Sequence, residues 1–173
     1  LGVETSRLYV RRPDSDQTWA ARGDLPPLRN VAAWLQLTPL EMAPDRLARV
    51  EIMPRVGRAY ILARDSTEMP WRVASPALSA LAQSSVNAAA ERITQIAPVD
   101  VRSAPAIQGA PFARLRATTF DGVTLDAELI ESDGRPWLKL VARAEAPEQE
   151  PAALELNNRA APWAYALDPM DAE

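Results

Sequence analysis

Two Asp-Gly pairs, Asp121-Gly122 and Asp133-Gly134, constrain the fold of this chain more than any other feature. An Asp-Gly pair accepts the positive φ that a tight reversal between antiparallel strands requires, and it is the strongest local signal for a β-hairpin. Residues of alternating polarity flank both pairs. The sequence therefore predicts a three-stranded meander with strands at 113–120, 123–131 and 136–144.

The middle strand of this meander is predicted to have one buried and one hydrated face, because side chains alternate along a strand. Its apolar positions are Val123, Leu125, Ala127 and Leu129. The positions between them are Thr124, Asp126 and Glu128. This alternation is typical of an antiparallel sheet that is covered on one side only.

A second pattern, at 58–102, predicts two strands, a helix and a closing strand. The first strand ends at the polar turn Asp65-Ser66-Thr67, and the second begins near Trp71. Ser84 or Ser85 is a good N-cap for the helix, which Pro98 ends.

A similar sequence pattern occurs earlier in the chain. They predict strands at 7–12 and 17–21, a short helix at 30–35 and a strand at 47–52, with Tyr9 matching Tyr60 and Trp19 matching Trp71. Two adjacent copies of one ββαβ unit suggest duplication. We therefore predict an α+β protein of repeated ββαβ units, with antiparallel sheets, helices on one face and the C-terminal three-stranded meander.

The C-terminal part is predicted to hold a helix at about 152–159 and a final strand at 163–167. With 173 residues the chain is long enough for one domain with a substantial core. We expect a single α+β domain over 1–173, built of units 1–53, 54–104 and 105–173.

Composition excludes several chemistries. The chain has no Cys and no His, which excludes thiol catalysis, disulfides, Cys/His zinc sites and histidine acid–base catalysis. Its net charge of −4 argues against binding nucleic acid or anionic lipid through the overall field. We expect no metal and no organic cofactor.

The first residue suggests that an N-terminal segment precedes this sequence. Residue 1 is Leu rather than Met, so we expect an N-terminal segment to have been removed. No apolar run approaches the roughly 18 residues that a membrane helix needs, and no signal peptide is recognisable.

An ordered set of short motifs resembles a known family. The motifs are Tyr9-Val10-Arg11-Arg12-Pro13 with Gln17-Thr18-Trp19, the segment 44–52, Trp71-Arg72-Val73, Val99-Asp100-Val101, 119–123 and Trp163-Ala164-Tyr165. Together they resemble the bacterial family DUF4340 over nearly the whole chain.

The resemblance implies a single-pass membrane protein whose soluble part lies outside the cytoplasmic membrane. Some family members are auxiliary to ABC-type transport systems of the gliding-motility kind. The resemblance thus implies a non-catalytic extracytoplasmic interaction module, periplasmic in location and anchored by an N-terminal helix that this chain lacks. A membrane permease or an envelope protein is the expected partner. The alternative is a carboxylate-dependent enzyme acting on an envelope polymer.

Such an enzyme would act through carboxylates. Two of the three acids Asp126, Glu128 and Glu131 could form a carboxylate pair of the glycosidase kind, but alternate acids on a hydrated strand are ordinary. The loop acids Asp14, Asp16, Asp65 and Glu68 lack the further ligands of an EF-hand, so we interpret them as solvated turns.

Two other residue types invite a functional interpretation. Trp19, Trp71, Trp137 and Trp163 stand near strand starts and could line a binding groove, but we favour packing, with each indole covering a sheet face and its N–H reaching a carbonyl. Ser79, Ser84 and Ser85 have no base to activate them. No catalytic residue is predicted.

The first strand is predicted to be a sheet edge that binds a partner, at Val10, Arg11 and Arg12. No proline blunts this strand before Pro13. An unpaired edge can capture an extended segment by β-augmentation. The competing interpretation is that Arg11 and Arg12 only keep the edge soluble.

Overall fold

The computed structural model describes residues 7–23, 38–76 and 81–168 of the chain. The chain divides into two compact units, Leu1–Gln36 and Leu37–Glu173. This division does not fall at the predicted unit boundaries near residues 53 and 104, and the single-domain organisation stays a prediction.

The first unit contains a β-hairpin of β1 (Arg7–Arg11) and β2 (Thr18–Arg22). The two strands are antiparallel, with Tyr9 opposite Ala20 and Val10 opposite Trp19. At the turn, the backbone N–H of Gln17 donates to the hydroxyl of Ser15 at 3.2 Å. The helix predicted at 30–35 lies outside the described residues.

The second unit is built on an eight-stranded antiparallel sheet with the order β5-β4-β3-β7-β8-β9-β10-β6. Its strands are β3 (Leu47–Pro54), β4 (Tyr60–Ala63), β5 (Arg72–Ser75), β6 (Asp100–Ser103), β7 (Ala113–Thr119), β8 (Val123–Ser132), β9 (Arg135–Ala144) and β10 (Trp163–Ala166). Two α-helices lie among the described residues, α1 (Gln83–Glu91) and α2 (Glu150–Ala160). The mixed helix and strand content and the antiparallel sheets agree with the predicted fold class.

The predicted meander forms the centre of this sheet, as β7, β8 and β9 in sequence order. Both residues of Asp133-Gly134 have positive φ, 54° and 69°, which matches the twist of a two-residue hairpin loop. In the first turn only Gly122 has a positive φ, 83°, because that loop also includes Phe120 and Asp121. The two Asp-Gly pairs therefore act through different turn geometries.

Both helices pack on the same face of the sheet, as predicted. Val86 and Ala90 of α1 and Ala153 and Ala160 of α2 belong to one buried cluster. The sheet contributes alternate residues to that cluster, among them Val50, Leu62, Ala117, Leu125, Leu140 and Tyr165. We call this side of the sheet the covered face.

The opposite side of the sheet is buried only at one end. A small cluster of Ile107, Ile130, Trp137, Ala164 and Ala166 packs there. Charged and polar residues predominate on the rest of this side, and we call it the open face.

The repeat of ββαβ units is not confirmed. The order β4, β5, α1, β6 has the predicted sequence, but β6 lies at the opposite end of the sheet from β5. The matched tryptophans differ as well. Trp19 lies directly opposite Val10, whereas Trp71 precedes β5 and is 2% exposed.

The predicted N-cap of α1 is wrong. Ala82 occupies that position, makes no side-chain cap bond, and accepts backbone bonds from Ser85 and Val86 through its carbonyl. The helix starts earlier than predicted because Gln83 is fixed by tertiary contact: its amide nitrogen donates to the carbonyl of Trp71 at 2.7 Å. A tertiary bond has overridden the local preference for serine.

Candidate interaction surfaces

The predicted partner edge lies in and just after β1. Val10 and Arg11 belong to the strand, and Arg12 follows it. Within the described residues, the sheet that holds β1 has two strands, so β2 is its only neighbour. Val10 is 44% exposed. One side of β1 therefore has no strand beside it in the described part of the chain.

The hairpin also exposes aromatic side chains. Val10 and Trp19 share one face because they are directly opposite each other, and Tyr9 lies on the other face. Tyr9 is 75% exposed and Trp19 is 40% exposed. The interpretation of Trp19 as a packing residue did not predict this exposure.

The candidate carboxylates lie on β8, but on two different sides of it. Asp126 and Glu128 are on the open face, whereas Glu131 is at an odd-numbered position and points to the other side. Glu131 therefore does not join the other two. The structure brings together only Asp126 and Glu128.

Arginines contact both of these carboxylates. Arg116 Nε donates to Asp126 Oδ1 at 2.8 Å, and Arg114 Nε donates to Glu128 Oε1 at 3.1 Å. Arg143 Nη1 lies 2.5 Å from Asp126 Oδ2, although this buried oxygen accepts no hydrogen bond of good geometry within the described residues. The hydrogen bond to Asp126 and the charge of this carboxylate raise the pKa of Arg116.

Strand register arranges these charges in rows across the open face. One row, from β3 to β9, is Glu51, Arg116, Asp126 and Val141. The next is Met53, Arg114, Glu128 and Lys139. Charges of opposite sign are thus neighbours along each row, which is favourable in an antiparallel sheet.

A depression of about 420 Å³ lies over these rows. Its charged lining consists of Arg114, Arg116, Asp126, Glu128, Lys139 and Arg143. Lys139 also donates to the carbonyl of Ile107 at 2.5 Å. The depression is within the volume range of small-molecule sites, though its lining is far more charged than is usual.

Sequence reasoning missed the arginines of this surface, although a signal was present. The Asp121-Gly122 turn sets the register of β7 against β8, which places Arg116 opposite Asp126 and Arg114 opposite Glu128. The spacings Arg-x-Arg and Asp-x-Glu on either side of that turn could have predicted both pairs.

Two of the loop carboxylates have an arginine partner within their own loop or hairpin. Asp16 lies 3.9 Å from Arg11, and Asp65 accepts a hydrogen bond from Arg72 at 2.9 Å. Among the described residues no group of three or more acidic side chains is placed to hold a metal ion.

The tryptophans do not follow one packing rule. Trp137 Nε1 donates to the carbonyl of Ser132 at 3.1 Å, as predicted. Trp71 is buried, but its Nε1 finds no acceptor among the residues that the structure describes. Trp163 is 45% exposed.

Ser84 and Ser85 lie in the first turn of α1, and Ser79 lies outside the described residues.

Comparison with known proteins gives no match: no family model, no curated protein and no solved structure is similar to this chain. The resemblance to DUF4340 stays a prediction. Of the helices in the described ranges, none has the length and apolar character needed to cross a bilayer.

Proposed function

We propose that this protein is a non-catalytic interaction module, the extracytoplasmic part of a membrane-anchored accessory protein that serves an ABC-type transport system. The observation that carries the proposal is the unpaired side of β1 in the described hairpin. A two-stranded hairpin alone is only marginally stable in water, and a third strand is the usual remedy. A partner strand added beside Val10 would supply it.

The side chains of the hairpin suit partner binding by this route. Exposed Tyr9 and Val10 offer apolar area on both faces of β1. In β-augmentation, main-chain hydrogen bonds give affinity and alternate side chains give selectivity. Arg11 and Arg12 add charge at the end of the strand, where they select an acidic neighbour or discourage self-association.

The non-catalytic part of the proposal is supported by the hydrogen bonds that the open-face carboxylates already accept. Asp126 and Glu128 already accept hydrogen bonds from Arg116 and Arg114. A glycosidase needs one acid that holds a proton and one that is free to attack or to activate water. Carboxylates engaged by guanidinium groups are better suited to organising a surface than to that chemistry.

The extracytoplasmic location, the membrane anchor and the transporter association rest on the resemblance to DUF4340. Fractionation of cells that express the full-length gene with a C-terminal tag tests the location. Accumulation in the cytosolic fraction would contradict it. Adjacent permease and ATPase genes would support the transporter association.

A proline scan tests the proposed edge. Successive residues of a strand donate their N–H groups to opposite sides, so one of Tyr9 and Val10 donates to β2 and the other away from it. We expect Tyr9→Pro and Val10→Pro to differ: one disrupts the hairpin, and the other keeps it but loses capture of purified permease or envelope fragments. Unchanged capture by the variant that stays folded would show that the edge is not the binding surface.

One observation favours the alternative, an enzyme that acts on an envelope polymer. Asp126 and Glu128 both line the depression on the open face. Incubation of the wild type, Asp126→Asn and Glu128→Gln with purified peptidoglycan, followed by product analysis, tests this alternative. Cleavage by the wild type that both variants lose would replace the interaction module with an enzyme.

A further inference from the structure

The arginines of the open face are held by carboxylates and still have unused donors. Arg114 and Arg116 each bond their carboxylate through Nε, and no hydrogen bond of their Nη groups is found within the described residues. The side chains of Arg114, Arg116 and Arg143 are 59%, 46% and 64% exposed. The guanidinium groups of Arg114 and Arg116 are therefore oriented by carboxylates and present N–H groups to the solvent.

The local charge is opposite to that of the whole protein. Four cations, Arg114, Arg116, Lys139 and Arg143, line the depression together with only two carboxylates, Asp126 and Glu128. The chain as a whole carries a net charge of −4. A basic surface that is fixed in place on an acidic protein favours an anionic ligand, and fixed guanidinium groups lose less entropy on binding than mobile ones.

We propose that this depression binds an acidic peptide segment in extended conformation. Arg114 and Arg116 are alternate residues of β7, so their Cα atoms are about 7 Å apart, which is also the spacing of alternate side chains in an extended peptide. A segment with carboxylates at alternate positions would meet both guanidinium groups. The methylene groups of these arginines, with Met53 and Val141, provide the apolar contact area.

The lining favours a peptide over a single-stranded nucleic acid. Proteins that bind single strands stack the bases on aromatic side chains. No aromatic side chain is among the described residues that line the depression. The negative net charge of the protein also opposes a long polyanion, whereas a short segment interacts mainly with the local field.

This site lies on the sheet of the second unit and does not rest on the edge of β1. The test uses the full chain and two synthetic peptides of eight residues, one alternating Glu with Val and one alternating Gln with Val, with binding measured by calorimetry at low salt. We expect the Glu peptide to bind and the Gln peptide not to bind. Since each lost charge-assisted hydrogen bond weakens binding substantially, the double variant Arg114→Gln/Arg116→Gln should bind about tenfold or more weakly.

The matched control is Arg58→Gln/Arg135→Gln, which removes the same charge from exposed positions outside the depression. It should bind the Glu peptide as the wild type does, and both variants should keep the wild-type circular dichroism spectrum. Equal weakening in the two double variants would show a non-specific charge effect and overturn the site. Tighter binding of a single-stranded oligonucleotide than of the Glu peptide would overturn the choice of ligand.

Discussion

At the scale of single residues, Arg64 joins three segments of the second unit. It is 8% exposed, and its Nε and Nη2 donate to the carbonyls of Leu47 and Pro44 at 2.8 and 2.7 Å. Its guanidinium carbon lies 4.7 Å from the ring centroid of Trp71 and 5.8 Å from that of Phe120. Within the described ranges this buried guanidinium contacts carbonyls and aromatic rings and has no carboxylate partner, so it stabilises the fold through those contacts.

Replacement of Arg64 by Met should therefore destabilise the second unit. Met fills a similar volume but leaves the carbonyls of Leu47 and Pro44 without their donor, at a cost of about 2–4 kcal/mol of unfolding free energy. Urea denaturation measures this loss. Arg58→Met is the matched control, because Arg58 is exposed, and it should change stability by about 0.5 kcal/mol or less. Similar stabilities for the two variants would contradict the role given to Arg64.

A second residue gives a pH dependence. Burial raises the pKa of the Tyr165 hydroxyl, with the charge of Arg159 acting in the opposite direction. Because the folded pKa lies above the unfolded one, the contribution of Tyr165 to stability is complete below the unfolded pKa of about 10 and is lost as pH rises through the folded value.

We expect Tyr165→Phe to lose less stability than the wild type between neutral and strongly alkaline pH. Phe does not ionise, so it avoids the cost of burying a phenolate, although it gives up the hydrogen bond to the carbonyl of Arg159. Urea denaturation at a series of pH values from 7 upward measures the difference in unfolding free energy. A difference that stays constant over this range would contradict the assignment.

At the scale of the elements, α2 completes the sheet where β10 is too short. β10 pairs with only Trp137 to Lys139 of β9. Beyond them, the side-chain amide of Asn157 donates to the carbonyl of Ala142 at 2.8 Å and accepts from its N–H at 2.7 Å. The amide of one helical residue thus takes the place of a strand and satisfies both backbone groups.

Asn157→Leu should weaken this junction. The change leaves the N–H and C=O of Ala142 unpaired in a partly buried place, which costs about 1–3 kcal/mol. The neighbouring Asn158 is exposed, so Asn158→Leu serves as the control. Hydrogen exchange at the Ala142 amide should become faster in Asn157→Leu alone. An unchanged exchange rate would show that solvent or another group replaces the amide.

The elements also show how far the sequence predicts this fold. Period and turn chemistry are local, and they predicted β7, β8, β9 and α2 close to their observed bounds. The position of β6 beside β10 depends on long-range packing that no local pattern encodes. The open-face arginines are an intermediate case, because the Asp121-Gly122 turn sets their register but pairing across strands has to be worked out from it.

At the scale of the whole molecule, the two proposed surfaces would bind through different interactions. The edge of β1 offers backbone groups, and its affinity for a strand should depend weakly on salt. The open face offers fixed guanidinium groups, and its affinity for an acidic segment should fall as salt screens the charges. Titrations at low and at high ionic strength should therefore separate the two modes for any partner that binds the full chain.

The central claim is that β1 pairs with a partner strand, and hydrogen exchange of the hairpin amides tests it most directly. The wild type is measured alone and with a captured permease or envelope fragment. Main-chain pairing predicts slower exchange at alternate residues of β1, at Tyr9 or at Val10 but not at both. Capture of the fragment with no change at either amide would show that the partner binds elsewhere and would contradict the account.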